Sequence, residues 1–344
     1  MQNIKCNACN KDKLQTLINI GKHPISTHLI KTENDQYKFY DHKYGYCIKC
    51  DLVQQTKLVS INKLVPDTVW HLNKEENTHH SDFISKIVNK KIINKENKIL
   101  FTSHYDNFYF EELKKKQFSS FFFLSKLSYF KNLKNAERQD IIQKSLNPFN
   151  AKKVVDDYGN FDVIFCSSIL DHSSSIKNFF NFFNKILKNN GILIVEVPDN
   201  TKSIKQGNAI FFWEEHRFYF TINSLLKIAK FNKFYKKKLI QYKYPQEDFI
   251  NAIFCKKNNN LDEIKKKQVN PLVKFNNKFL QFKKKSNKII DYYKKNNYKI
   301  YLFGAGHNSI KFIFFYNLNK IIDNVIDDNK KKFNYLVPST NINI

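Results

Sequence analysis
Four of the six cysteines stand in two Cys-x-x-Cys pairs, Cys6 with Cys9 and Cys47 with Cys50, and no other feature restricts the fold so tightly. A Cys-x-x-Cys turn wraps backbone around one metal ion, and two such turns supply the four thiolates that tetrahedral zinc takes. A site of this kind is closed, so the zinc is expected to be structural rather than catalytic. The first residues are polar and lack the apolar stretch of a signal peptide, which points to the cytosol. Thiols stay reduced there, and spaced pairs read as metal ligands rather than disulfides. Four unrelated cysteines or a redox-active pair are the competing readings. Cys166 and Cys255 lie in apolar, strand-like runs and read as buried packing residues.

A chain of 344 residues has room for two or three domains, and three regions separate by pattern. Residues 1–75 are loop-rich and hold the cysteine pairs, which makes them a small zinc-binding domain. Residues 76–245 alternate short apolar runs (98–102, 161–167, 191–198) with amphipathic stretches such as 176–187, as a parallel α/β sheet does. The last region, 246–344, opens with a lysine-rich helical connector at 256–285. A strand at 299–303, a glycine turn at Gly304 and Gly306, a helix through Phe315 and a strand at 322–327 follow. The expected class is α/β, with Rossmann-like sheets in the second and third regions.

The net charge of +27 would normally suggest nucleic acid. Arginine occurs only at Arg138 and Arg217, however, and the lysines are spread over the whole length in short runs (114–116, 236–238, 330–332). Such runs read as solvated faces, so neither a nucleic-acid nor a membrane partner is expected. Nor does any segment approach the roughly 20 apolar residues of a membrane span.

From Phe161 the sequence reads FDVIFCSSILDHSSSIKNFFNFFNKILKNNGILIVEVPD. Its pattern is a buried strand, a loop with Asp171 and His172, an amphipathic helix closed by Asn189-Asn190-Gly191, and a second buried strand. This order resembles the later motifs of class I S-adenosylmethionine-dependent methyltransferases. With the cysteine pairs before it, FFWEEHRFYFT at 211–221 after it and a terminal FGAG with VIDDN, nearly the whole chain is similar to the zinc-containing sugar C-methyltransferases. That family methylates a ring carbon of nucleotide-linked keto-deoxysugars. Its members usually run on past the point where this chain stops, so a short last domain is expected.

The resemblance implies S-adenosylmethionine as cofactor beside the structural zinc, and a nucleotide-activated sugar as substrate. It also implies a base that removes the proton next to a carbonyl, so that the enolate can attack the methyl group. That base would be His216, with Glu215 orienting the imidazole, His172 near the reacting carbon, and Trp213 and Tyr219 lining the pocket. On the residues alone, Glu214, Glu215 and His216 also suit a solvated helix start or hairpin corner, His172 a loop histidine that is not a base, and the two aromatics a core.

Two departures from the family pattern concern the cofactor. The loop after the first strand of the sheet, 99–112, contains no glycine. Asp106 keeps its acidic place, while Ser103 and Asn107 stand where the family has glycine, and these three are the expected cofactor contacts. After the second strand, at 121–124, Ser125 and Lys126 occupy the place of a ribose-binding carboxylate, and lysine cannot accept those bonds. The alternative expectation is therefore a non-catalytic binding or scaffold protein of sugar or polysaccharide biosynthesis. The terminal Gly304-Ala305-Gly306 is an incomplete dinucleotide fingerprint: Ser309 holds the third glycine place, and Asp327 and Asp328 end the next strand. By resemblance, this domain packs against the catalytic one and encloses the substrate.

Overall fold
The computed structural model describes residues 4–10, 14–32, 35, 37–65, 79–126, 139–257 and 271–344. In chain order its strands are β1 (Gln15–Pro24), β2 (Phe39–Cys47), β3 (Leu52–Gln55), β4 (Ile99–Phe101), β5 (Phe121–Phe123), β6 (Phe161–Ser167), β7 (Leu187–Asp199), β8 (Phe218–Tyr219), β9 (Tyr235–Tyr242), β10 (Asp248–Cys255), β11 (Tyr301–Phe303) and β12 (Asn324–Ile326).

The central sheet has the order β5-β4-β6-β7-β10-β9. Its first four strands are parallel, and it closes in the antiparallel pairs β7 with β10 and β10 with β9. This is the expected class I methyltransferase sheet. The parallel strands are apolar on both faces because helices cover both. Phe179, Phe180, Phe183 and Ile186 of the helix Ile176–Ile186 pack with Leu100, Ile164 and Leu193 on one side. Phe83, Ile84 and Ile87 of the helix His79–Asn89 pack with Phe101, Val163 and Ile194 on the other. Each such burial contributes about 1.5–3 kcal/mol. The sheet runs on through β10, past the expected boundary at 245.

One turn differs from expectation. The helix ends at Ile186, and Asn189, Asn190 and Gly191 lie within β7 rather than closing the helix. The pairing of β6 with β7 is irregular there, shifting between Phe161 and Val163. Gly191 is needed for close approach instead, since a Cβ on it would meet Leu187 Cγ at 2.9 Å and the Asp162 carbonyl at 3.0 Å.

The first region is more regular than its sequence suggests. β1, β2 and β3 form an antiparallel sheet, but two register shifts in β1 break the period-2 pattern by which a strand is recognised. The fourth strand of that sheet is β8, from the central region. In the last region β11 and β12 pair in parallel around the helix His307–Phe315. The expected connector helix occupies Leu272–Lys295, and 258–270 lie outside the described residues. Among the described residues no helix is long and apolar enough to cross a membrane.

Candidate active site and zinc centre
Both cysteine pairs sit in matched turns. The Asn10 N–H donates to the Cys6 carbonyl at 2.9 Å, and the Asp51 N–H to the Cys47 carbonyl at 2.8 Å. Asn10 and Asp51 have φ of 53° and 58°, a left-handed conformation that asparagine and aspartate tolerate better than most residues. Sγ–Sγ separations are 3.6 Å for Cys6–Cys50 and 3.6 Å for Cys9–Cys47. A disulfide would set them about 2.05 Å apart, whereas zinc with bonds of about 2.3 Å sets its sulfurs about 3.8 Å apart. The four cysteines form a structural zinc site. Gln54 Nε2 donates to Cys6 Sγ at 3.0 Å, the kind of supporting bond a coordinated thiolate takes. Asp51 ties the second turn to the central region, accepting from Tyr46 Oη at 2.9 Å and from Asn223 and Lys227 of the helix Ile222–Phe231.

The zinc-bearing sheet also holds the candidate catalytic segment. β3 pairs with β8, directly after Glu214-Glu215-His216-Arg217. Gln55, which ends β3, donates through Nε2 to the carbonyls of Trp213 (2.9 Å), Glu214 (2.9 Å) and His216 (3.0 Å). From the opposite side the Asp171 carbonyl, in the loop after β6, accepts the N–H groups of Arg217 (2.8 Å) and Phe218 (3.2 Å).

These bonds bring His172 and His216 together, with ring centroids 4.7 Å apart and planes at 77°. Asp171 Oδ2 faces both imidazoles, 3.5 Å from His216 Nε2 and 3.7 Å from His172 Nε2. Trp213 lies 5.0 Å from His216 and stacks on His307 of the last region at 4.3 Å and 11°. Tyr219 is set further back, 6.4 Å from the His216 ring, with its hydroxyl on the Trp213 carbonyl at 2.6 Å.

Glu214 and Glu215 are buried, so the solvated-corner reading fails. Glu214, to which the sequence assigned no role, joins all three regions. It accepts from Ser26 N–H and, at 2.8 Å, from Ser26 Oγ, and it pairs with the buried Lys311 ammonium. Burial by itself would raise the Glu214 carboxyl, but Lys311 overrides it and holds the pKa at about 2. Burial, reinforced by His172, His307 and Lys311, pushes His216 well below the usual imidazole range. Its ring is therefore neutral at pH 7.

Residues 6–64 match the family model of a zinc binding domain, and residues 256–344 match that of a C-methyltransferase C-terminal domain. The chain thus matches one family model near each end. Between them lies the six-stranded sheet described above. Among solved structures, the chain is similar to a S-adenosylmethionine-dependent methyltransferase from Clostridium acetobutylicum at 11% identity, over 53% of this chain and 92% of that one, with a TM-score of 0.34. For one from Archaeoglobus fulgidus the identity is 12% over 51% and 94%, with a TM-score of 0.33. For the 1,6-didemethyltoxoflavin-N1-methyltransferase of Burkholderia thailandensis it is 9% over 53% and 80%, with a TM-score of 0.31. No curated protein matches the chain.

In this chain the glycine-free loop after β4 is held by Asp106. Its Oδ2 accepts from Thr102 N–H (2.7 Å), Thr102 Oγ1 (3.0 Å) and Ser103 N–H (3.0 Å), and its Oδ1 from Ser167 N–H (2.9 Å). Asp106 is thus a fully buried staple between the ends of β4 and β6, not a group turned towards a ligand. Ser103 caps the same turn, accepting from Tyr105 N–H at 3.2 Å. From Thr102 to Asn107 no residue has positive φ, so residues with a Cβ adopt the loop without strain. Asn107 and Phe108 are exposed on the first turn of the helix Asn107–Lys115, at the carboxyl edge of the parallel strands where α/β sheets bind ligands. The Phe108 ring stacks on His80 at 5.0 Å and 14°. β5 leads into Leu124, Ser125 and Lys126, and Lys126 Nζ lies 4.6 Å over the Phe123 ring; none of these three is a carboxylate.

The terminal glycine turn faces the same junction through His307. Gly304 has φ of 90°, and no atom lies within 4 Å of where a Cβ on Gly304 or Gly306 would stand. Asp327 accepts the Ala305 N–H at 2.6 Å and Lys332 Nζ at 2.8 Å, so the acid of the fingerprint closes its own turn. Gln55, Ser26 and Lys311 join the site from distant stretches and carry no local signal, whereas Asp171 lies in the loop that the sequence marked, beside His172. His307, next to the glycine turn, does have one.

Proposed function
We propose that the chain transfers a methyl group from S-adenosylmethionine to a ring carbon of a nucleotide-linked keto-deoxysugar, with His216 as the base. The observation that carries this reading is the largely enclosed, neutral His216 imidazole, its side chain 15% exposed, set against Asp171 and His172 where the three regions meet. Asp171 faces Nε2 and favours the tautomer with its proton there, which leaves Nδ1 to take the proton next to the substrate carbonyl. The same carboxylate stabilises the imidazolium that forms. His172 is placed to donate towards the enolate oxygen, and Trp213 with His307 supplies a flat wall for the sugar ring. S-adenosylmethionine, when bound, supplies the methyl group; Asn107 and Phe108 are the residues that would hold it.

Exchange of the sugar's ring proton into deuterated water tests the base. His216→Ala should lower it by roughly 10²–10⁴-fold, and exchange at the parent rate would remove His216 from the role. A second reading, a non-catalytic sugar-binding relative, is favoured by Asp106, whose carboxylate is spent inside the loop. Calorimetric titration with S-adenosylmethionine and S-adenosylhomocysteine separates the two: absence of binding by both leaves the second.

A further inference from the structure
A second set of metal-ligating side chains lies on the sheet face covered by the helix His79–Asn89. That helix opens with His79 and His80, whose rings stack at 4.1 Å and 30°. Both turn Nε2 towards one carboxylate, that of Glu196 in β7, at 2.9 Å to Oε2 for His79 and 3.8 Å to Oε1 for His80. The three side chains are 1%, 4% and 6% exposed. Around them Tyr109 Oη and, at 3.0 Å, Asn251 Nδ2 donate to Glu196 Oε2. Tyr244 Oη meets His79 Nδ1 at 2.7 Å.

We propose that His79, His80 and Glu196 form a second metal site, for a divalent first-row transition ion such as zinc, bound through two imidazole nitrogens and a carboxylate. Zinc with bonds of about 2.0–2.1 Å to nitrogen and oxygen sets neighbouring ligand atoms roughly 3.3 Å apart. The contacts of 2.9 and 3.8 Å bracket that spacing, so modest side-chain rotations reach it. The supporting shell is already in place: Tyr244 at Nδ1 of His79 leaves Nε2 for the ion, and Tyr109 and Asn251 orient the carboxylate. A dry pocket lined by two imidazoles and an anion is also the setting in which a cation offsets the desolvation of buried polar groups.

The donor set is nitrogen and oxygen, unlike the four sulfurs of the cysteine site, so the two ions are separable in kind. The site joins the start of a helix to the strand whose Glu196 carbonyl receives the Ser168 N–H at 3.0 Å, at the end of β6 beside the Asp106 staple. A metal here locks that helix over the carboxyl edge of the sheet.

The test is metal content of the full-length protein after exposure to excess zinc and gel filtration. Two equivalents per chain are expected, falling to one in Glu196→Gln and in His80→Gln and to one in Cys9→Ser. One equivalent in the parent protein, lost with the cysteines, would overturn the proposal, as would two equivalents retained in Glu196→Gln. Since a variant of a buried group can fail to fold, cobalt loading of the parent protein gives an independent reading. The proposal requires a second equivalent that adds weak visible bands without sulfur charge-transfer intensity. A cobalt titration in which every bound ion brings thiolate charge transfer refutes it.

Discussion
The pair of Glu214 and Lys311 offers the sharpest test of the three-way junction. Their side chains are 3% and 2% exposed, and the first remaining partner of Glu214 is Ser26. Lys311→Met keeps the length of the side chain but strands the carboxylate in a dry site. Losing one member of a buried pair costs about 3–5 kcal/mol. Glu214→Gln strands the ammonium at comparable cost. The double variant removes both charges and should be less destabilised than the sum of the singles by about 2–4 kcal/mol.

Trp213 reports locally, because it stacks on His307 at the start of the helix that carries Lys311. The chain has two tryptophans, so a Trp70→Phe background isolates its fluorescence. Urea titrations of the four proteins in that background give the coupling directly. Single effects that add to within about 0.5 kcal/mol would show the two groups to be independent and would sink the account of Glu214 as the hub. The sign with pH follows from its depressed pKa of about 2. The stabilisation is complete above the unfolded value of about 4.3 and is lost as pH falls from there through about 2. Glu214→Gln should abolish that acid sensitivity of the Trp213 signal.

Other outcomes follow from the same geometry. Because His216 is depressed by burial, kcat/KM should stay level as pH falls through about 6.5, an ordinary imidazole value, and drop only below it; an acid limb centred at or above that value contradicts the assignment. Gln55→Ala leaves three carbonyls without their shared donor, at about 1–3 kcal/mol. Gln55→Glu should be worse, since a carboxylate repels all three, and denaturation midpoints with methyl-transfer rates check the order. Chelating the cysteine-bound zinc should change Trp213 fluorescence although the metal is remote, because Asp51 and β3 carry the disturbance to β8; an unchanged spectrum in fully zinc-depleted protein argues against that route.

What could be read from the sequence was local. Cysteine spacing gives the metal because a Cys-x-x-Cys turn closes on itself, and Asn10 and Asp51 supply the left-handed residue that each turn needs. The strand at 161–167 was legible as an apolar run, and the helix after it as an amphipathic one. The strands of the first region were not, because the irregular register of β1 hides its alternation. Asn189-Asn190-Gly191 resembled a helix end because turn chemistry and close backbone approach call for the same residue. Asp106 was visible as an acid in the expected loop, but not its orientation, which depends on where Ser167 lies.

By itself, then, the sequence determined the zinc ligands and the α/β class, since each rests on residue chemistry within a short window, whereas His172 and His216 were singled out through the family resemblance. Only the tertiary structure decided that Asp171 faces both imidazoles, that Glu214 is bound to Ser26 and Lys311, and that a strand of the zinc domain holds the candidate catalytic segment. The reason is physical. Burial sets the charge state of His216, and burial opposed by Lys311 that of Glu214; both need groups as far apart in sequence as Ser26 and Lys311, brought together only when the three regions share one core.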